Sequence, residues 1–137
     1  MDERLLEIRQ HTGEGYLPLI DFNTWRVAIL RWEQASLPEN IEMMERHNQT
    51  DEVFVLLEGQ ATLILGDNTT KVDDIQPQEL EPCKLYNVKQ STWHTILLSR
   101  DASILIVENR DTGDENSEYC SLSKEFKEKI KSMSKGG

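Results

Sequence analysis

The sequence is 137 residues long, 29% of them charged and 37% hydrophobic, with a formal net charge of −10. That length suits one domain that buries roughly 68–70% of its unfolded surface. With no Lys/Arg cluster before the C-terminus, the acidity excludes a grip on a nucleic-acid backbone or an anionic membrane surface, and solubility accounts for it.

No apolar run approaches the ~20 residues needed to cross a bilayer. The opening MDERLLEIRQ lacks the apolar segment of a secretory signal. Cys83 and Cys120 have no CxxC spacing. Reduced thiols and a cytoplasmic setting are therefore expected, with a disulfide between the two left open.

Residues 1–20 read as an N-terminal arm. Leu5, Leu6 and Ile8 suit a short strand or helical turn, and Gly13, Gly15 and Pro18 break anything longer. Residues 19–34 alternate, with Phe22, Trp25, Val27 and Ile29 against Arg26, Ala28 and Leu30, and predict one or two strands. Ser36 to Asn40 predicts a loop. On a strand over 41–47, Ile41, Met43, Glu45 and His47 share one face, and the apolar pair Ile41 and Met43 marks that face as inward. A buried carboxylate and imidazole then need partners.

Val53–Leu57 and Gln60–Leu65, interrupted at Glu58-Gly59, predict a hairpin. Gly66 to Asn68 turns, Thr69–Val72 reads as a short edge strand, and 73–83 as a loop containing Pro77 and Pro82. Strands are expected at 84–88, 93–98 and 103–107. From Glu108 the chain reads as a polar, acidic linker. Leu122, Phe126, Ile130 and Met133 then recur at helical spacing, with Ser121 or Ser123 as cap. The expected architecture is an all-β jelly-roll barrel over 21–110, followed over 111–137 by linker and an amphipathic helix that packs back on it.

The stretch ERHNQTDEVFVLLEG resembles the first motif of the cupins, small double-sheet β-barrels of the jelly-roll type. His47 matches that motif's second histidine, Glu52 its glutamate and Gly59 its closing glycine, while Glu45 stands at the first histidine and Glu39 at the upstream glycine. His94, in CKLYNVKQSTWHTILL, matches the histidine of the second motif. Lys89 stands there in place of proline, Ser91 in place of glycine and Leu98 in place of asparagine. The resemblance covers about residues 40–108. It implies a barrel with a pocket at one end, and a divalent ion held by Glu45, His47, Glu52 and His94.

Two imidazoles with one or two carboxylates suit Mn, Fe, Ni or Zn. Glu45 is either a fourth ligand or a general base beside a three-ligand ion. Trp25, Phe54 and Tyr86 are candidates to contact a small-molecule substrate, against the simpler reading that they pack the core. Lys84 and Lys89 are candidates to hold an anion, against simple solvation. His11 is expected to be structural or exposed.

Two functions stay open. One is a metal-dependent enzyme of isomerase, lyase or oxygenase type acting on a small polar metabolite. The other is a metal-free module that binds a sugar or metabolite without turnover. A homodimer is expected, with the N-terminal arm and the Trp93 face as candidate contacts.

Overall fold

The computed structural model describes residues 2–134. Ten strands form two five-stranded antiparallel sheets. They are β1 (Gly15–Phe22), β2 (Trp25–Arg31), β3 (Met43–His47), β4 (Glu52–Glu58), β5 (Ala61–Leu65), β6 (Gln76–Glu79), β7 (Tyr86–Val88), β8 (His94–Leu98), β9 (Ser103–Asn109) and β10 (Ser117–Ser121). The first sheet is ordered β1-β2-β9-β4-β7 and the second β10-β3-β8-β5-β6. One helix, α1 (Lys124–Ser134), follows. This is the expected jelly roll. No helix among the described residues is long and apolar enough to cross a membrane.

The two β-rich runs around Gly59 do not pair as a hairpin. β4 lies between β9 and β7 in the first sheet, while β5 lies between β8 and β6 in the second. Gly59 is where the chain crosses from sheet to sheet. Its φ is +73°, and a Cβ there would come within 2.8 Å of the Ala102 Cα and 2.7 Å of Ser99 Oγ. Only glycine adopts this conformation cheaply and admits such an approach.

Thr69–Val72 forms no strand. The edge strand falls later, at β6, where Pro77 is tolerated because that edge needs no donor. The acidic stretch expected to be a solvated linker contains β10, which pairs with β3 and completes the second sheet. The sheet framework therefore runs from Gly15 to Ser121, wider than 21–110 at both ends.

The main core lies between the sheets, built from Ala28, Phe54, Leu56, Leu63, Ile104 and Ile106 among others. A second core lies on the outer side of the second sheet. There Met44, Ile64, Trp93 and Leu97 pack with Leu122 and Ile130, flanked by Phe126 and Met133. The helical spacing read from sequence thus meets a real apolar surface. Ser123 Oγ accepts the Phe126 N–H at 3.1 Å and caps the first turn.

Trp93 faces away from His94, as alternation requires. It does not face solvent or a partner, however, being only 1% exposed within the second core. Its Nε1–H donates to the Thr69 carbonyl at 2.9 Å, and the Arg46 guanidinium lies 4.5 Å above the ring. Met43, used to mark the inward face, is 47% exposed, and Ile41 belongs to the second core with Met44.

Two substitutions test this architecture. Gly59→Ala should lower stability by about 2 kcal/mol or more, because left-handed backbone and a close contact act together. Ile130→Ala removes a fully buried side chain and should cost about 2–4 kcal/mol. Urea unfolding followed by far-UV circular dichroism measures both. An Ile130 variant as stable as the parent would mean that α1 is not part of the fold.

Candidate metal centre and cavity

Alternation along five strands sends polar side chains into one end of the barrel. From the second sheet, β3 contributes Glu45 and His47, and β8 opens with His94. From the first sheet, β4 opens with Glu52, β9 contributes Glu108, and β2 contributes Arg26. Glu45 is the direct cross-strand partner of His94, and Ser117 that of His47. These groups line a cavity of about 440 Å³, with Phe54 and Ile106 on its apolar wall and Tyr16, Gly113 and Tyr119 around its rim. A larger groove, about 620 Å³, runs beside the end of α1, but among the described residues Glu79 is its one titratable side chain. The chemistry therefore belongs to the smaller cavity.

His47 Nε2 lies 3.2 Å and His94 Nε2 3.0 Å from Glu52 Oε1. Glu45 Oε1 stands further off, 3.7 Å from His47 Nε2 and 3.9 Å from His94 Nε2. His94 Nδ1–H donates to the Thr92 carbonyl at 2.9 Å, which leaves Nε2 as the lone-pair nitrogen of the neutral ring. His47 Nδ1 lies 2.8 Å from Ser117 Oγ, so its Nε2 also turns inward. The two rings meet edge to face at 5.3 Å, and Phe54 holds His94 in the same way at 6.0 Å.

These residues fit a cation. Glu52 Oε1 and His94 Nε2 are both buried without a hydrogen-bond partner, a rare and costly state unless something positive sits between them. Donors held about 2.1 Å from one ion lie roughly 3.0–3.4 Å apart. The Glu52 contacts with both histidines fall in that range, and the Glu45 contacts fall outside it. Two overlapping sets of ligand atoms lie within 4.8 Å of one another: Glu45, His47 and His94, and then His47, Glu52 and Glu108.

The electrostatics hang on two neighbouring carboxylates. Burial works to raise Glu52, but His47 and His94 outweigh it and hold the group well below the usual carboxylate range. Burial lowers both histidines, yet Glu52 prevails and their net displacement is upward. Glu108 is pushed up to about 7, first by burial and then by the Glu52 charge, against the pull of Tyr16 and Arg26. The Tyr16 hydroxyl donates to Glu108 Oε1 at 2.7 Å, and Arg26, directly opposite on β2, donates to the same oxygen. Arg26 also donates to the carbonyls of Arg110 and Thr112, so it ties the cavity rim to the floor.

Of the candidates for substrate contact, only Phe54 lines the cavity. Trp25 is 42% exposed on the outer side of the first sheet, beside Phe22. Tyr86 packs against the main core, and its hydroxyl accepts the Glu81 N–H. Lys84 pairs with Glu81 and Lys89 lies 3.9 Å from Asp51, both away from the cavity. His11 is structural, its Nε2–H donating to the Gly15 carbonyl at 2.8 Å. Cys83 and Cys120 are free thiols.

Sequence reading missed Glu108, Arg26 and Tyr16. Ending the last strand at Val107 cut off Glu108, although Ile104 and Ile106 share its face. Arg26 shares a face with buried Ala28, but the alternation over 19–34 did not say which face is the inner one.

Several solved structures share the fold at low identity. The QdtA 3,4-ketoisomerase from Thermoanaerobacterium thermosaccharolyticum, in complex with TDP, is 16% identical with a TM-score of 0.56, over 83% of this chain and 78% of that one. Streptomyces PAC13 with uridine is 10% identical with a TM-score of 0.55, over 86% and 88%. KdgF from Halomonas sp. is 13% identical with a TM-score of 0.51, over 74% and 86%. No curated protein matches the chain. A family model does match, across residues 5–129, which takes in most of the arm, both sheets, every cavity residue named above and the first half of α1. The chain is therefore a member of the ureidoglycolate lyase family, built on a cupin-type jelly roll.

Proposed function

We propose that this chain is a metal-assisted lyase that breaks a carbon–nitrogen bond in a small ureido-substituted hydroxy acid. The observation that carries the reading is the convergence of His47 Nε2, His94 Nε2 and Glu52 Oε1 in the cavity, two of those atoms buried without partners. The family's name supplies the substrate class. Two free thiols and an acidic surface agree with a cytoplasmic setting.

Ureidoglycolate is a two-carbon carboxylate whose α carbon carries a hydroxyl and a ureido nitrogen. Its elimination removes the hydroxyl proton and forms a carbonyl. The carbon–nitrogen bond breaks with its electron pair on the departing nitrogen, which takes up a proton. The products are an aldehyde acid and urea. Hydroxyl and nitrogen sit on one carbon, so a single carboxylate can accept the first proton and return it to the second atom.

Glu45 suits that role. Its side chain is 42% exposed at the cavity mouth and stands 3.7–3.9 Å from the histidine nitrogens. His47, Glu52 and His94 would hold the ion, with Mn, Fe, Ni or Zn compatible with two imidazoles and a carboxylate. When bound, a divalent cation supplies Lewis-acid charge toward the substrate oxygens. Arg26 and Tyr16 neutralise Glu108 and keep it from competing with Glu52 for the histidines. Phe54 and Ile106 close the apolar side against water.

Protein purified without a histidine tag should carry or take up about one transition-metal ion per chain. His47→Ala and His94→Ala should abolish uptake, measured by inductively coupled plasma mass spectrometry. Glu45→Gln should keep the metal and lower urea release from ureidoglycolate by about 10²–10⁴-fold. A parent that takes up no ion from Fe, Mn, Ni or Zn sinks the metal part. A metal-loaded parent that binds ureidoglycolate without releasing urea would be the non-catalytic binding module instead.

The Arg26–Glu108 pair has its own test, since both side chains are largely buried. Arg26→Ala should destabilise by about 1–3 kcal/mol, because it removes a buried hydrogen-bond partner from Glu108, which can take up a proton instead of standing as a bare charge. Adding Glu108→Gln should recover a large part of that loss in urea unfolding. Two purely additive effects would show that the residues are not coupled.

A further inference from the structure

His47 and His94 face the same Glu52 oxygen, but their outer nitrogens are held by different chemistry. His94 Nδ1 lies 2.9 Å from the Thr92 carbonyl, a group that only accepts. That neutral ring is therefore fixed with its proton on Nδ1 and its lone pair on Nε2. His47 Nδ1 lies 2.8 Å from the Ser117 hydroxyl, a group that donates or accepts. This contact leaves the His47 proton free to sit on either nitrogen. Ser117 Oγ has no other hydrogen-bond partner among the described residues.

The chain on either side holds Ser117 in place. Ser117 stands directly opposite His47 in the ladder between β3 and β10. On one side, the Asn116 carbonyl accepts the Asn48 N–H at 2.9 Å. On the other, Glu118 Oε1 accepts from Asn48 Nδ2 at 2.7 Å and from Arg46 at 2.9 Å. Both neighbours of Ser117 are thus tied to the segment that carries His47. The hydroxyl oxygen is placed, and its hydrogen can turn either way.

The inner side of the ring decides which way it turns when no ion is bound. His47 Nε2 faces Glu52 Oε1 at 3.2 Å and Glu45 Oε1 at 3.7 Å. Glu52 Oε1 is buried without a hydrogen-bond partner, and neutral His94 presents it with a lone pair. Of the two neutral rings, only His47 can offer that carboxylate a proton. With Nε2–H turned toward Glu52, His47 Nδ1 needs a donor behind it.

We propose that Ser117 is a positioning residue that serves both tautomers of His47. In the ion-free protein its hydroxyl donates to Nδ1, and Nε2–H points at Glu52. When Nε2 gives its lone pair to a cation, Nδ1 carries the ring proton and Ser117 Oγ accepts it. The ring stays neutral throughout: Nε2 loses one proton to water at the cavity mouth, and Nδ1 takes one back. This second state rests on the metal centre proposed above. His94 needs no such change, because its lone pair already points inward. A carbonyl behind His47 would leave Glu52 facing two lone pairs whenever the ion is absent, and a hydroxyl avoids that cost. β10 thus acts at the centre as well as in the sheet.

Proton–nitrogen correlation spectra of the histidine rings in the full chain test the proposal, at about pH 8.5, above the usual histidine range. Without metal, His47 should show the Nε2–H tautomer and His94 the Nδ1–H tautomer. Zinc should move only His47 to Nδ1–H. An ion-free His47 already protonated on Nδ1 overturns the proposal. Ser117→Ala should shift the ion-free His47 Nδ1 resonance toward that of an acceptor without a donor. It should also raise the zinc dissociation constant about 10–100-fold. Ser117→Thr should restore both. Ser121→Ala, the same change at an exposed position of β10, should alter neither. A Ser117→Ala protein with the parental resonance and the parental zinc affinity overturns the proposal.

If Ser117→Ala fails to fold, the parent's own spectra decide. Zinc uptake with no change of tautomer at His47 overturns the proposal and leaves the metal centre standing. A parent that takes up no zinc sinks the metal centre, and the ion-free tautomer of His47 then decides whether Ser117 donates to it.

Discussion

Two carboxylates, Glu52 and Glu108, are buried side by side between the sheets, and the rest of the cavity follows from how they are kept apart electrostatically. Each is about 5–6% exposed, too deep for water to solvate two negative charges cheaply. The chain solves this with unlike partners. Glu52 faces two imidazoles from the opposite sheet and keeps its charge. Glu108 faces a guanidinium and a phenol from its own sheet and has its proton affinity raised by the Glu52 charge. The first arrangement spans the barrel and leaves donor atoms open. The second stays within one sheet, where Arg26 and Tyr16 both hold Glu108 Oε1 and Oε2 is left buried without a partner. That difference is why the histidine side is the chemical side, and why Arg26 and Tyr16 read as positioning groups.

The two sheets are also unequal on their outer faces, and this governs the overall build. The second sheet buries both of its sides, one on the main core and one beneath α1, so Met44, Ile64 and Trp93 are as buried as any central residue. The position of His94 depends on that second layer. Trp93 is fixed by the Thr69 carbonyl and the Arg46 guanidinium, and the next residue along the strand can point only into the cavity. The first sheet has a comparable apolar outer face with no helix over it among the described residues.

What could be read from sequence divides along physical lines. Alternation is a local property, and it put Glu45 and His47 together on one side of β3. Spacing to Glu52 and the later His94 came from the cupin resemblance, and the structure brings all four to one end of the barrel. Alternation does not say which side is inward, and here both sides of the first sheet are apolar. That is why Trp25 looked like a cavity residue while Arg26, its neighbour, is one. Pairing is non-local, so two β-rich runs around Gly59 read as a hairpin although the chain turns a corner between sheets. Composition misled at the acidic stretch after Glu108. Its polar residues cover the cavity rim, and β10 hides there because an edge strand has no need of an apolar repeat.

Glu45 ties these threads together. In the cupin pattern its position belongs to a histidine, a donor whose second nitrogen can be anchored to the backbone. A glutamate there has no such anchor. Its carboxylate stands about half an ångström or more beyond the spacing of the three tighter groups, with its side chain 42% exposed. A third fixed nitrogen would bind an ion more tightly and leave fewer open positions for substrate. An exposed carboxylate at the mouth would hold an ion less tightly and, on the proposed reading, adds a group that can carry a proton between two atoms on one carbon. Elimination across a hydroxyl and a geminal nitrogen needs that transfer more than it needs a fourth ligand. On the proposed reading, the substitution that makes the metal pattern look incomplete is the one that suits the site to lyase chemistry.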